Sequence, residues 1–409
     1  MRTYRELFRT PEFTPLFLAS SGQVAAQTVA GLALGTLVYT ATGSPLLSGL
    51  AMFGPALAQV AGAATLLSAA DRVPPRAALA GLALLSALGT AALAIPGLPV
   101  WGVLAVVLAQ GLLGALGGGV RYGLLNEIVP PGGYLLGRSV LNMSSGTVQI
   151  LGFAIGGVLL SAMPPRGTLL AAAALYLGAA AAACGLGRRP PRAAGRPSPA
   201  ETWRNNALLW SSGPRRRVYL ALWVPNGLIV GCESLFVPYA PQHAGLLFAC
   251  AASGMLAGDV LAGRFTPAAW RARLIVPLYL LLAVPYVIFV LRPAPAVAAA
   301  AVALASAGYA AGLLLQERLM ALTPGELSGH ALGLHSSGML TMQGLAAALA
   351  GALAQQTSPE TAMAVLAAIS AATTLALRIP VRPQPAPGVA ASGKGGSKLP
   401  LTRGNSSQG

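Results

Sequence analysis

Charged residues divide the chain into long apolar stretches. Residues 13–70 carry no charge, a run of 58 positions between Glu12 and Asp71. That length holds two membrane-crossing helices of about 20 residues with a turn between them. The segment Ala41-Thr-Gly-Ser-Pro45 supplies the turn. Residues 77–120 form a second charge-free run of 44, divided near Pro96-Gly-Leu-Pro99. The runs 139–165 and 167–187 meet around Pro164-Pro165-Arg166. Six spans are therefore expected at about 16–40, 46–68, 77–96, 100–120, 140–162 and 168–187. The rhythm returns later in the chain, with spans expected at about 218–240, 245–265, 273–291, 295–316, 331–354 and 361–379. In lipid only helices and closed barrels satisfy the backbone. The period-two alternation of a membrane barrel is missing. The pattern predicts an all-α integral membrane protein of twelve helices in a six-plus-six arrangement.

Between the two sets of spans lies Arg188–Arg217, with eight arginines, one acid (Glu201), and Pro190, Pro191, Pro197 and Pro199. It is too polar for lipid, and its prolines and charge argue against independent folding. The expected organisation is a cytoplasmic N-terminus (1–15), a first half (16–187), a basic cytoplasmic linker (188–217) and a second half (218–379). A Pro/Gly/Ser/Lys-rich tail (380–409), expected to be disordered and cytoplasmic, follows.

Composition narrows the class. Apolar residues make up 55% of the 409 and charged residues 9%, against about 25% charged in an ordinary soluble domain. A soluble enzyme, a coiled coil and a disordered chain are excluded. The net charge of +16 comes in short clusters between uncharged stretches, which points to a membrane surface and not to nucleic acid. With the N-terminus inside, 24 basic residues fall in cytoplasmic segments, and only Arg166 and Arg292 fall outside. The positive-inside rule then puts both termini in the cytoplasm. Lysine occurs only at Lys394 and Lys398, as in high-GC bacterial genes, and a bacterial cytoplasmic membrane is the expected location. No removable leader is read at the N-terminus, since no short apolar segment with a cleavage site follows Arg9.

Catalytic, phosphate-binding and metal-binding motifs are missing, so neither an enzyme nor a resident cofactor or metal is expected. Cys184, Cys232 and Cys250 read as small buried apolar residues. Without a nucleotide site, transport would draw on an ion or solute gradient.

One offset of 192 residues aligns the two halves. Gly62 meets Gly254, Arg72 meets Arg264 and Gly137 meets Gly329. Ser144-Ser-Gly146 meets Ser336-Ser-Gly338, and Gly152 meets Gly344. An even number of spans per half makes the repeats parallel.

Several stretches resemble the major facilitator superfamily over about residues 10–380. Its signature G-x-x-x-D-R-x-G-R-R is approximated by Leu67-Ser-Ala-Ala-Asp71-Arg72-Val-Pro74-Pro75-Arg76, in which Asp71, Arg72 and the last arginine match. The fifth span is similar to the antiporter pattern G-P-x-x-G-G as Gly152-Phe153-Ala-Ile-Gly156-Gly157, with Phe153 in place of proline. Gln110-Gly111-Leu-Leu-Gly114 resembles R-x-x-Q-G-x-x-G, with Val107 where the family has arginine. Asn126-Glu-Ile-Val-Pro-Pro131 looks like the loop after span four in drug and siderophore exporters. The resemblance implies two six-helix halves rocking around a midplane cavity bounded by spans one, four, seven and ten. It implies a secondary transporter acting as a monomer, with protons and a small molecule as partners in the lipid bilayer. Proton-coupled efflux of an amphipathic molecule is the expected activity. A nutrient importer or uniporter, and a non-transporting partner or sensor of the same fold, are the alternatives.

Glu233 and Asp259 are the acids inside spans. Glu233 lies on the order of 10 Å from the nearer membrane face, and Asn226, seven residues earlier, shares its helix face. A charge at such depth costs about 2.5–3.5 kcal/mol on insertion scales. Glu233 reads either as the proton-coupling or cationic-substrate group, or as a neutral side chain bonded within the bundle. Gln23, Gln27, Gln110, Asn226, Tyr309 and Gln316 are candidates for the cavity wall; such groups either touch substrate or hold helices together. Asp259 with Arg264 or with an arginine across the half interface, and Asp71 with Arg72, are candidate gating ion pairs, and Asp259 alternatively snorkels to the inner surface. An ion pair formed in only one state biases a two-state equilibrium, whereas a plain positive-inside loop would carry the same charges.

Overall fold

The computed structural model describes residues 4–70, 73–129, 134–190, 199–324 and 327–377. Asp71, Arg72 and the tail 380–409 lie outside these residues. Among the described residues there is no strand, and twelve helices are long and apolar enough to cross a membrane. We number them α1 (Phe13–Thr42), α2 (Pro45–Ala70), α3 (Pro75–Leu93), α4 (Val100–Ile128), α5 (Tyr134–Ala162) and α6 (Pro165–Cys184). The second six are α7 (Gly213–Ser234), α8 (Ala244–Phe265), α9 (Trp270–Leu291), α10 (Pro295–Ala321), α11 (Ser328–Gln356) and α12 (Pro359–Ala376).

The boundaries have local causes. Pro45, Pro75, Pro165, Pro295 and Pro359 open helices, where a missing N–H costs nothing because the first turn has no internal acceptor. Gly43, at φ 64°, closes α1 with its N–H on Tyr39 O at 2.8 Å. Ser358 caps α12 by accepting from the Thr361 N–H at 3.2 Å. Large apolar side chains such as Leu88, Val158 and Leu291 stand exposed; on this scale that surface suits lipid and not water.

The helices extend beyond the charge-bounded spans. Arg121 lies within α4, Arg138 within α5, and Arg215, Arg216 and Arg217 within α7, because long basic side chains let a helix continue past the apolar layer. The segment expected to stay unfolded between the halves contains a helix, Pro199–Ser211. Its prolines do not break it, since Pro199 is its first residue. Leu209 is fully buried, and Trp210 stacks on Trp223 of α7 with ring centres 5.6 Å apart. This apolar face found a partner that composition does not reveal.

Packing follows the internal repeat. In the first bundle α1 packs on α5 and α6, α2 on α4, and α3 on α6; in the second, α7 packs on α11 and α12, α8 on α10, and α9 on α12. The bundles meet through α5 against α8 and α2 against α11, a pair of contacts that the repeat interchanges. The 192-residue offset has a physical reason at Gly62 and Gly254. A Cβ on Gly62 would stand 2.9 Å from Ala115 Cβ of α4, and one on Gly254 would run into the backbone of Ala303 of α10. Both glycines admit the same helix crossing in their own bundle.

Candidate functional site

Two irregularities in helices converge on Glu233. Its helix ends one residue later, where the Leu235 N–H turns back to Cys232 O at 3.1 Å. Facing it, α10 tightens into a 3-10 turn over Ala307–Tyr309. Such turns inside a helix are common at functional sites. Here the cause is Gly308, which lets α10 press on Leu278 and Leu282 of α9 with no space for a side chain. The turn presents Tyr309, whose hydroxyl donates to Glu233 Oε1 at 3.0 Å. Hydrogen bonds to charged groups are worth about 1.5–3 kcal/mol, so this contact fixes the carboxylate's orientation.

Glu233 and Tyr309 open onto a cavity of about 760 Å³ lined from both bundles. Its wall includes Gln23, Gln27, Gln110 and Asn226 of the expected residues, together with Gln59, Gln149 and Gln343, Phe53, Phe153 and Phe248. Gln316, seven residues beyond Tyr309, is not among the lining residues. Gln110 is held by α3, its Nε2 donating to Ser86 O at 3.0 Å and to Thr90 Oγ1 at 3.2 Å. Gln343 Nε2 reaches Asn226 Oδ1 at 3.5 Å. Arg121 of α4 also lines the cavity, toward the arginine-rich end of the bundle.

At the opposite end the bundles touch. Gly157 of α5 lies on Gly245 of α8, and Leu46 of α2 on Gly351 of α11. Ser44 bonds Gln355, and the Tyr39 hydroxyl donates to Pro238 O at 3.4 Å. This closure is made of backbone approaches and neutral hydrogen bonds.

The expected gating pair Asp259–Arg264 is absent among the described residues: both side chains are exposed and no ion pair joins them. Five residues along a helix place them about 140° apart, so nearness in sequence does not bring them together. The pairs that do form lie within one bundle. Glu12 accepts from the Gly187 N–H at 3.0 Å and from Arg189 at 3.2 Å, and Arg189 also stands 4.0 Å from Glu127. Arg271 of α9 grips Glu317 of α10 at 3.0 Å, and Arg292 meets Glu360 of α12 at 3.0 Å. They brace each bundle, and among the described residues none of them joins the two bundles. Sequence reasoning missed Gln59, Gln149 and Gln343; each is an amide inside an apolar span, and that was the available signal.

Residues 16–243, more than half of the chain, match the family profile described as Major Facilitator Superfamily. No curated protein sequence matches the chain significantly. Solved structures share the fold at low identity. A nucleoside transporter, NupG, in mutant form superposes with a TM-score of 0.73 at 12% identity, covering 90% of this chain and 98% of its own. A POT family transporter in complex with 5-aminolevulinic acid gives 0.70 at 11%, covering 89% and 95%. A bacterial homolog of the human lysosomal transporter Spinster, inward-facing and unoccupied, gives 0.69 at 15%, covering 92% and 98%.

Proposed function

Because this chain belongs to the Major Facilitator Superfamily, we propose that it is a secondary transporter in which protonation of Glu233 drives export of a small molecule through the central cavity. The observation that carries this reading is the placement of Glu233. Among the described residues it is the one carboxylate lining the cavity, it sits where α7 breaks, and Tyr309 holds it. A group whose access to water changes as the cavity opens and closes is what coupling needs.

The contacts at the Gly157–Gly245 end support reading this conformation as one arm of a rocking cycle. With the arginine-rich end in the cytoplasm, as the charge bias implies, that arm is closed to the outside. Asp71 and Arg72 are then proposed as a conformational bias at the cytoplasmic end, away from the substrate. Efflux rests on the antiporter-like stretch Gly152–Gly157 in α5. A second reading, uptake or uniport of a polar nutrient, is favoured by Val107, a buried apolar residue where the family pattern carries arginine.

Purified protein in liposomes with an imposed pH gradient tests the reading. Wild type should show solute flux that follows the gradient, and its sign gives the direction. Glu233→Gln keeps shape and hydrogen bonding without ionising. It should lose gradient-driven flux and keep downhill exchange. Unchanged pH dependence in that variant removes Glu233 from the mechanism, and no flux in either protein favours a partner or sensor role.

A further inference from the structure

Apart from Arg121 at its arginine-rich end, the polar side chains that the first bundle gives to the cavity wall are uncharged, five of them glutamines, and from them we infer the class of solute: neutral and rich in hydroxyl or amide groups. This inference deepens the transport reading above and rests on it. Gln23 and Gln27 stand four residues apart on α1 and so share a face; Gln59 comes from α2 and Gln149 from α5. Among the described residues, none of these four side chains has a hydrogen-bonding partner in the protein. Gln110 and Gln343 differ, being tied to neighbouring helices or to Asn226.

The distinction decides the role. An amide buried without partners costs several kcal/mol, so amides in apolar helices ordinarily pair with each other as glue. Four without protein partners, from three helices and open to one cavity of about 760 Å³, are left to bond water or the solute that replaces it. Each offers two donors and an acceptor and no charge. Such a wall matches alcohol and amide groups, and away from Arg121 and Glu233 at its edges it gives a lipophilic cation or an anion no opposite charge to offset its lost hydration. Glu233, on the far wall, is left to the coupling proton. Phe53, Phe153 and Phe248 add flat apolar surface, which suits the face of a sugar ring or a short capped peptide. The volume falls within the range of about 300–1,000 Å³ that encloses one small ligand.

Equilibrium binding to the full-length protein in nanodiscs, without any gradient, tests the inference. Three size-matched compound sets are compared: uncharged glycosides and capped peptides, lipophilic cations, and carboxylate anions. Specific binders should come from the uncharged set, and its two arms tell hydroxyl from amide recognition. Gln23→Leu, Gln59→Leu and Gln149→Leu should each weaken such a binder by about fivefold. Should a leucine variant fold poorly, Gln59→Met and Gln149→Met repeat the measurement with side chains of similar length. Gln110→Met should lower thermal stability more than it lowers affinity, because its amide serves helix packing. Binders drawn from the cation or anion sets, no binder in the uncharged set, or affinities indifferent to all three glutamines would each overturn the assignment. The coupling role of Glu233 can fail on its own, since a gradient-independent protein would still bind neutral solutes here.

Discussion

A single methyl group at the Gly157–Gly245 crossing should move the conformational equilibrium. A Cβ on Gly245 would stand 2.5 Å from Gly157 Cα, closer than such atoms approach, and a tight 3.1 Å from Phe153 O. The obstacle is backbone, which cannot rotate away. Overpacking of this kind costs about 1–3 kcal/mol. If the crossing forms only when this end is closed, that cost falls on one state, and Gly245→Ala shifts the closed-to-open ratio by about 5- to 150-fold. Spin labels at Met163 and Gln242, in the loops flanking the crossing, report it once Cys184, Cys232 and Cys250 are removed. The variant should gain a longer-distance population relative to wild type. Gly178→Ala, where a Cβ meets nothing within 4 Å, should leave the distribution unchanged. An unaltered distribution in Gly245→Ala, together with lowered thermal stability, would show that α5 and α8 stay packed throughout the cycle and that closure lies elsewhere.

Other outcomes follow from single contacts. Tyr309→Phe removes the donor to Glu233 and should cut gradient-driven flux about tenfold, from the roughly 1.5–3 kcal/mol of a charged hydrogen bond, with folding retained in thermal unfolding. Gly254→Ala should destabilise by about 1–3 kcal/mol, since its Cβ meets the Ala303 backbone. Arg292 holds a left-handed backbone at φ 48°. Arg292→Gly should destabilise by about 0.5–2 kcal/mol in unfolding experiments, because relief of about 1 kcal/mol of strain offsets only part of a charge-assisted bond of about 1.5–3 kcal/mol to Glu360, whose side chain is only 14% exposed. A double-mutant cycle between Asp259→Asn and Arg264→Gln should give a coupling energy within about 0.5 kcal/mol of zero.

The spans were legible because lipid imposes one rule on every helix, and Ala- and Leu-rich runs free of charge obey it. Their ends were not: arginines at 121, 138 and 215–217 read as boundaries, yet they ride on helices that run on. Glu233 was legible as an acid inside an apolar helix, with Asn226 one face-repeat away. Its partner's geometry was not, because the turn presenting Tyr309 depends on Gly308 meeting α9, a contact between residues far apart in sequence. Gln59 and Gln149 lie outside the four helices that the family resemblance places around the cavity, because α2 and α5 also turn a face to it. Asp259 and Arg264 stand apart in this conformation for a reason of helix geometry, and the closure that forms here joins, among the described residues, backbone and neutral side chains that no charge pattern displays.

One carboxylate in the cavity also sets an energetic ceiling. If Glu233 alone carries the coupling ion, a turnover moves at most one proton, and with a neutral solute it moves one net charge across the membrane. Each 100 mV of membrane potential then supplies about 2.3 kcal/mol, enough to sustain a solute gradient of about fiftyfold. A transporter built this way is electrogenic, and its reversal potential reads out the stoichiometry directly.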